Sequence, residues 1–421
     1  FREICSPINI INHPNLMKTN SNSLPQERIH IVDALRGFAL AGIVIVHMVE
    51  NYIGAPSPTS FNEAVHQGPM DYVVDGFIGL FLRGKFFALF SFLFGLSFFI
   101  QMDKAHQKGE NFAGRFLWRL LLLLGIGYVH SLFYAGDILT IYALLGIFLI
   151  PFYKIKNNWI LGFVALLFLG LGRYIVFFYT QGQNMFGVME MSPESASVLE
   201  YYTILKEGSL SDVFSANAFN SHLNKMDFQF GIFGRGYATF GYFLLGLYIG
   251  RTGFFKKYKE RKKLVQRTWI WSLVLFLVSG GLMAVTFGSM GANVTFDNWT
   301  AMLGLTAMDL NNVAVTFILI SVFVILYKRT KPQKFLEKFI PYGKMALTNY
   351  CGQSVIGTFL LFGWGLGYIG ELRNLYTFGI ALLVIALQMV LSKWWLSRFK
   401  YGPLEWLWRS ATFFKFFPIK R

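Results

Sequence analysis

The sequence predicts an all-α membrane protein, a polytopic bundle of about ten transmembrane helices with both termini in the cytoplasm. Two observations support this fold class. The chain is 54% hydrophobic and only 14% charged, whereas a soluble domain carries about 25% charged residues. Apolar runs of about 20 residues, each long enough to cross a bilayer as a helix, also recur along the chain. A surface that faces lipid accounts for the 46 Phe and 10 Trp residues better than one globular core does.

The apolar runs lie between short polar gaps, and each run is interpreted as one membrane span. We predict spans near residues 31–53, 84–101, 116–135, 138–153, 158–178, 234–250, 268–288, 311–327, 344–363 and 375–392.

The gaps between the spans alternate in charge. If the chain crosses the bilayer at each span, 31 of the 38 Lys and Arg residues fall on one side. Because Lys and Arg remain on the cytoplasmic side during insertion, this side is cytoplasmic. The net charge of +16 could also indicate a nucleic-acid binder. Apolar spans separate the basic clusters, however, and leave no continuous basic groove.

The chain divides into tails and one bundle. No cleavable signal peptide is predicted, because Asp33 and Arg36 interrupt the first apolar segment and no small-residue cleavage pattern follows. The first residue is Phe, and we predict that translation begins at Met17, so that residues 1–16 are not native. The predicted parts are a cytoplasmic N-terminal tail (1–30), the bundle (31–398) and a basic amphipathic C-terminal tail at the cytoplasmic face (399–421).

Two segments on the outer side are not simple spans. Segment 179–233 is rich in polar residues, and it is either a small helical cap over the outer mouth or a solvated linker. Segment Tyr72–Leu82 is apolar and continues into the second span, giving a run of about 30 residues that is long for one crossing. We predict that it forms a short helix in the outer interface or re-enters the bilayer.

Ionisable residues inside spans are costly and usually face the protein interior, so they are the best evidence for a site. Arg36 and His47 in the first span are 11 residues apart and therefore share one helix face. Asp33 lies three residues before Arg36, and Glu50 lies three after His47. One polar stripe thus follows the first span from its cytoplasmic end to its outer half.

The third span repeats this spacing, with Arg119 and His130 again 11 residues apart and Arg115 one turn earlier. If the two helices pack face to face, they form a polar shaft that is basic at its cytoplasmic entrance. Such an entrance suits a phosphate-bearing molecule, and the imidazoles at the far end suit general-base chemistry. The alternatives are that the Arg side chains extend to lipid headgroups and that the His residues only join helices.

More polar groups lie near the outer side. Asp75 and Lys85 flank the turn into the second span and either serve the site or form an ion pair. Asp137 either serves the site or caps the next helix. The full set is His66, Asp71, Asp75, Arg83, Lys85, Asp137, Tyr142, Arg173 and Arg235.

Two further patterns concern ligands. Asn349 and Gln353 lie four residues apart in the ninth span, where they either bind a polar ligand or link helices. The spacing of His47, His66 and His130 does not support a metal site, and no metal is expected.

Several motifs between residue 28 and the C-terminus together resemble the YeiB-like bacterial membrane proteins, a family with a domain of unknown function. The resemblance is carried by the stretches Asp33–Leu40, Gly84–Gly95, Gly136–Leu139, Tyr142–Gly146, Ala346–Tyr350, Gln353–Ser354 and Tyr401–Arg409.

That family is similar to the transmembrane acyltransferases, which include the lysosomal heparan glucosaminide acetyltransferase and the acyltransferase type three enzymes. Arg36, Gly37 and His47 match the Arg-Gly and His of the latter group, whereas YeiB-like members more often carry Asn at the His position. In the lysosomal enzyme the catalytic His follows the first span, and His66, ahead of Asp75, resembles it in position. The resemblance therefore leaves more than one candidate base.

The resemblance implies an O- or N-acyltransferase that moves an acyl group from cytoplasmic acyl-CoA, most commonly acetyl-CoA, to an extracytoplasmic acceptor such as an envelope sugar. His47 would then be the base, oriented by Glu50, with His66, Asp75 and His130 as the other catalytic candidates. The candidates for binding the acyl donor are Asp33, Arg36, Lys85, Arg115, Arg119, Asn349 and Gln353.

The alternative is a transporter or flippase of a small polar or lipid-linked substrate, with the polar stripe as its path. Paired broken helices and an inverted repeat, which are typical of many transporters, are not evident in the sequence. In both cases we expect a multi-pass protein of the bacterial inner membrane that contacts lipid, binds no nucleic acid and is compatible with a homodimer.

Overall fold

A computed structural model of the protein describes residues 29–187, 192–291 and 295–421. The predicted start at Met17 lies outside the described residues. In the described part of the chain all named elements are helical, and strand-type pairing is limited to one isolated bridge between Phe399 and Lys420. The predicted all-α class is therefore confirmed.

The helices are numbered in chain order, and α3 continues into a π-helical turn, Ile78–Leu82. They are α1 (His30–Val49), α2 (Thr59–Val65), α3 (Pro69–Phe77), α4 (Lys85–His106), α5 (Ala113–Phe133), α6 (Leu139–Phe152), α7 (Asn157–Phe168), α8 (Leu171–Thr180), α9 (Ala196–Glu207), α10 (Leu210–Ala218), α11 (Asn220–Phe230), α12 (Arg235–Arg251), α13 (Lys262–Ser289), α14 (Trp299–Tyr327), α15 (Thr330–Leu336), α16 (Phe339–Lys344), α17 (Ala346–Leu361), α18 (Asn374–Arg398) and α19 (Pro403–Phe413).

Six stretches of helix in the described residues are long and apolar enough to cross a bilayer. The pair α7 and α8, which is bent by 45° at Gly170, would make a seventh. Every predicted span overlaps a helix, but α6, α12 and α17 have only 14, 17 and 16 residues. The count of about ten spans therefore stays a prediction. The six stretches are His30–Val49, Pro69–His106, Ala113–Phe133, Lys262–Ser289, Trp299–Tyr327 and Asn374–Arg398.

Helix α1 lies at the centre of the bundle, where it contacts α4, α16, α17 and α18. Glycines allow the helices of the core to approach closely. A Cβ atom added at Gly95 of α4 would lie closer than 3.0 Å to the backbone of Phe243 in α12, and one added at Gly246 would meet the backbone of Phe92. The close approach of α4 and α12 therefore leaves no room for a side chain at either glycine.

The segments outside the predicted spans are also helical. Helices α9, α10 and α11 occupy much of segment 179–233. Segment Tyr72–Leu82 consists of the end of α3 and the π-helical turn. Five large apolar side chains on it are exposed, as expected for a surface that faces lipid. They are Tyr72, Val73, Phe77, Leu80 and Phe81.

The C-terminal helix α19 joins α5 to α17. The indole of Trp408 donates to the carbonyl oxygen of Arg119 at 2.8 Å. Glu405 accepts hydrogen bonds from the N–H of Leu347 at 2.7 Å and from the hydroxyl of Thr348 at 2.6 Å. Burial raises the pKa of Glu405, and these hydrogen bonds oppose that shift. The tail is thus part of the bundle.

We expect Gly95→Ala and Gly246→Ala each to destabilise the protein by about 1–3 kcal/mol, because each added methyl group forces two backbones apart. Thermal unfolding in detergent would measure the change. Gly125→Ala is the matched control, since nothing lies within 4 Å of a Cβ at this helical position. The control should be neutral or slightly stabilising. Equal unfolding temperatures for Gly95→Ala and the wild type would contradict the close packing of α4 and α12.

The predicted orientation can be tested by cysteine labelling after the native cysteines are replaced. Lys206 in α9 is 41% exposed and is predicted to be outside, whereas Lys415 after α19 is exposed and predicted to be inside. A membrane-impermeant maleimide should label Lys206→Cys in intact cells and Lys415→Cys only after the membrane is broken. The opposite pattern would invert the topology.

Candidate active site

One cavity of about 860 Å³ lies at the end of the bundle that the charge pattern assigns to the outside, and we call it the outer cavity. Its volume lies within the range of about 300–1,000 Å³ that is typical of ligand sites. Its wall includes the outer ends of α1 and α12, the start of α4, the turn before α6 and part of α11. Among its lining residues are His47, Glu50, His66, Asp75, Arg83, Lys85, Asp137, Lys225, Arg235 and Tyr350.

His47 lies in the wall of the outer cavity, oriented by Gln353 of α17. The side-chain amide nitrogen of Gln353 is 3.3 Å from Nδ1 of His47, and its carbonyl oxygen accepts from the hydroxyl of Tyr52. The imidazole also lies 4.9 Å from the ring of Tyr134. Its Nε2 has no hydrogen-bond partner in the described part of the chain and is not among the buried atoms that lack one. This nitrogen is therefore accessible.

His130 is buried and forms a dyad with Asp137. Its Nδ1 lies 2.8 Å from a carboxylate oxygen of Asp137, which also accepts from the N–H groups of Leu139 and Thr140 at 3.1 and 3.0 Å. Asp137 thus caps α6 and also orients an imidazole, so both roles considered for it are present. Nε2 of His130 is buried and has no partner in the described residues.

The imidazoles of His47 and His130 lie near each other, and a side chain of α17 contacts both. The ring of Tyr350 lies 5.0 Å from the ring of His130 and 6.3 Å from that of His47. Tyr134 is likewise close to both rings, at 6.4 and 4.9 Å. The structure therefore brings together the two histidines that share the 11-residue spacing.

The arginines of the same two helices do not form one shaft. Arg36 donates to Asp33 at 2.8 Å and to the hydroxyl of Ser97 in α4 at 3.0 Å. The prediction of a shared basic shaft is wrong, because α5 does not pack face to face with α1.

The face of α5 that carries its arginines packs against α19 instead. The guanidinium of Arg119 lies 3.5 Å above the ring of Trp408, and that of Arg115 lies 5.0 Å from the ring of Phe413. These cation–π contacts hold both side chains at the opposite end of the bundle from the outer cavity.

Glu50 does not orient His47, because its carboxylate contacts Arg83. Nε of Arg83 donates to Glu50 at 2.6 Å, and a second nitrogen donates to Asp75 at 2.9 Å. Of the two roles considered for Asp75 and Lys85, the ion pair between them is not formed, since Arg83 contacts the carboxylate of Asp75. The side chains of Glu50, Asp75 and Arg83 are all partly exposed, with Arg83 at 46%.

His66 lines the outer cavity, but the protein occupies both of its ring nitrogens. Nδ1 lies 2.7 Å from the carbonyl oxygen of Asn62, and Nε2 lies 3.0 Å from the amide nitrogen of Asn374. The ring also stacks on Tyr72 at 4.9 Å. Within the described residues, no group of three or more His, Cys, Asp or Glu residues is arranged to hold a metal ion.

Asn349 and Gln353 have different surroundings. Asn349 donates to the hydroxyl of Ser392 at 2.9 Å and to the carbonyl oxygen of Tyr342 at 3.2 Å. Its amide therefore links α17 to its neighbours, which is one of the two roles considered for it. Gln353 is fully buried and contacts His47, so its role in the site is orientation.

The helical segment 196–230 adds a residue that the sequence did not single out. Lys225 of α11 lines the cavity close to Asp137. Burial lowers the pKa of Lys225, and the negative charge of Asp137 partly opposes this shift. No sequence signal could identify Lys225, because its place depends on how the segment folds over the mouth.

Known proteins match the two halves of the chain separately. The family model described as "Heparan-alpha-glucosaminide N-acetyltransferase, catalytic" matches residues 28–205. The model described as "Protein of unknown function (DUF418)" matches residues 249–415.

Bacterial relatives match nearly the whole chain. The "Uncharacterized protein YxaH" of Bacillus subtilis (strain 168) is 29% identical over 96% of this chain and 99% of its own length. The "Uncharacterized protein YeiB" of Escherichia coli (strain K12) is 26% identical over 92% of this chain and 96% of its own. The resemblance deduced from the sequence motifs is thus confirmed.

We expect Asp137→Asn to destabilise the protein by about 1–3 kcal/mol, because it removes a buried charge that accepts hydrogen bonds from His130 and from the start of α6. Thermal unfolding would measure the loss. Asp75→Asn is the control, since its ion pair is partly exposed and should contribute about 0–1 kcal/mol. If both variants unfold like the wild type, the dyad contributes nothing to the fold.

Proposed function

Because the chain is similar to the YeiB-like membrane proteins over nearly its whole length, and because its first half matches an acetyltransferase catalytic domain, we propose that it is a membrane acyltransferase. The proposed donor is acyl-CoA, with acetyl-CoA the first choice, and the proposed acceptor is an extracytoplasmic envelope molecule. The proposed location is the bacterial inner membrane.

The accessible Nε2 of His47 is the observation that carries the proposal. Of the three candidate histidines, His66 has both nitrogens occupied and His130 has its free nitrogen buried. Only His47 places an unpartnered and accessible ring nitrogen in the outer cavity. A general base needs such an atom within reach of the proton that it removes.

The reaction replaces a C–S bond by a C–O or C–N bond. His47 takes the proton from the hydroxyl or amine of the acceptor as the oxygen or nitrogen attacks the thioester carbon. The C–S bond then breaks, and the imidazolium returns the proton to the leaving thiolate. The products are the acylated acceptor and free coenzyme A, and the base is regenerated.

Gln353 is the positioning residue for this step. A lone pair on Nε2 requires the ring proton on Nδ1, which then donates to the carbonyl oxygen of the Gln353 amide. In the structure the amide nitrogen of Gln353 faces Nδ1 of His47. Rotating the amide group by 180° places its carbonyl oxygen there instead. The Tyr52 hydroxyl pairs with either end, because it both donates and accepts. The negative charge of Asp137 acts favourably on the imidazolium that forms during the reaction.

The test is thiol release from acetyl-CoA by the purified protein in the presence of an envelope extract as acceptor. We expect His47→Ala to lower the rate by about 10²–10⁴-fold, the usual contribution of a general base. His66→Ala should retain most of the rate. His106→Ala is the matched control, since His106 is exposed at the opposite end of α4.

Full activity in both His47→Ala and His66→Ala would refute a histidine base in this cavity. Substrate flux across proteoliposomes in the absence of acyl-CoA, together with no thiol release, would favour the transporter alternative.

A further inference from the structure

Two cations in the wall of the outer cavity have no carboxylate contact in the described part of the chain. Nζ of Lys85 donates to the carbonyl oxygen of Gly79 at 2.7 Å, and the side chain is only 6% exposed. The guanidinium of Arg235 lies 4.2 Å from the centre of the Phe87 ring. A buried cation usually has an anionic partner, so this pair needs an explanation.

The carboxylates near this pair are bound to other cations. Glu50 and Asp75 both contact Arg83. Asp309 forms an ion pair with Arg173. In the described residues neither Lys85 nor Arg235 therefore has a carboxylate of its own, although the charges of Asp309 and Glu50 act on Arg235 from a distance.

The backbone holds both cations in place. Lys85 follows Gly84, which has a φ of +83°, and a Cβ atom at Gly84 would lie 2.9 Å from the side chain of Asn312. Arg235 begins α12, and Arg173 fixes the preceding turn by donating to the carbonyl oxygens at 232 and 233 at 2.7 and 2.8 Å. Both cations therefore start from rigid positions, as a preformed binding site requires.

The two cations also act on the same region of the cavity. The charges of Arg83 and Arg235 both act on Lys85. Like charges repel strongly where water is excluded, and an anion between them removes that repulsion. A guanidinium and an ammonium together match the oxygens of a phosphate group.

We infer that Lys85 and Arg235 form the binding subsite for a phosphate group of the acceptor. This inference rests on the proposed function, because it assigns the chemical class of the acceptor in that reaction. Lys85 and Arg235 line the same cavity as His47, so a phosphate bound to them would share one compartment with the proposed base.

The surface around the mouth favours a phosphate that is attached to a lipid. Arg83 is 46% exposed at the mouth. The neighbouring side chains of Phe77, Leu80 and Phe81 are exposed at 45%, 45% and 43%. An amphiphile in the outer leaflet would keep its chains against this apolar surface while its phosphate enters the cavity.

The experiment measures ligand binding without an acyl donor, so its outcome is independent of catalysis. The purified protein is titrated with sodium pyrophosphate, with dihexanoyl phosphatidylglycerol and with dihexanoylglycerol, which lacks the phosphate, at constant ionic strength, and thermal unfolding reports binding. Coenzyme A is titrated separately as the donor control. We expect an anionic ligand to stabilise the protein. Lys85→Gln and Arg235→Gln should each raise its Kd by about tenfold or more, because each removes a charged donor.

Two variants serve as controls. Lys206→Gln removes an exposed lysine that pairs with Glu371 outside the cavity, so it should bind like the wild type. Arg235→Lys keeps the charge and should retain most of the affinity. If Arg235→Gln does not fold, the test depends on Lys85→Gln alone.

The two anionic ligands distinguish the source of the phosphate. Binding of phosphatidylglycerol that is much tighter than that of pyrophosphate identifies a lipid headgroup, and equal binding identifies a soluble phosphate. The inference is wrong if neither anion stabilises the protein more than dihexanoylglycerol does, or if Lys85→Gln binds both anions normally. It is also wrong if the variants weaken only the binding of coenzyme A, since the pair then belongs to the donor.

Discussion

A polar side chain inside a membrane bundle must find its partner within the protein, and this constraint accounts for most contacts of the interior. The hydroxyl of Tyr52, the amide of Gln353 and the imidazole of His47 form one chain of contacts across α1 and α17. One carboxylate oxygen of Asp137 contacts His130, and N–H groups at the start of α6 donate to both carboxylate oxygens. Polar groups without such a partner therefore indicate function better than polar groups that have one. The accessible Nε2 of His47 and the two cavity cations that contact no carboxylate in the described residues, Lys85 and Arg235, are such groups.

The sequence predicted those features that depend on one helix at a time. Hydropathy placed a helix at each predicted span, and the 11-residue spacing placed Arg36 and His47 on one face of α1. The same spacing in α5 identified His130, and in the structure the imidazoles of His47 and His130 both lie close to Tyr134 and Tyr350. These predictions succeeded because the period of a helix fixes which side chains share a face.

The sequence did not predict which helices are neighbours. The face of α5 that carries Arg119 could have met α1, but it meets Trp408 of α19, because an indole ring and a guanidinium attract each other. Glu50 could have met His47, but Arg83 offers it a full charge at 2.6 Å. Which partner a side chain contacts depends on the packing of segments that are distant in the sequence, and no pattern within one helix predicts it. Lys225 is the clearest example, since it reaches the cavity only because a polar segment folds back over the mouth.

The site requires both halves of the chain, which explains how the two family matches relate to each other. His47 and His130 lie in residues 28–205, which resemble the acetyltransferase catalytic domain. Gln353, which orients His47, and Tyr350, whose ring contacts both histidines, lie in the DUF418 region at 249–415. Helix α19 of that same region holds α5 through Trp408 and holds the start of α17 through Glu405. Displacing α19 would therefore move His130 relative to Tyr350, although α19 lies at the opposite end of the bundle. The second half thus contributes contacts to both imidazoles, beside those that Tyr134 makes from the first half.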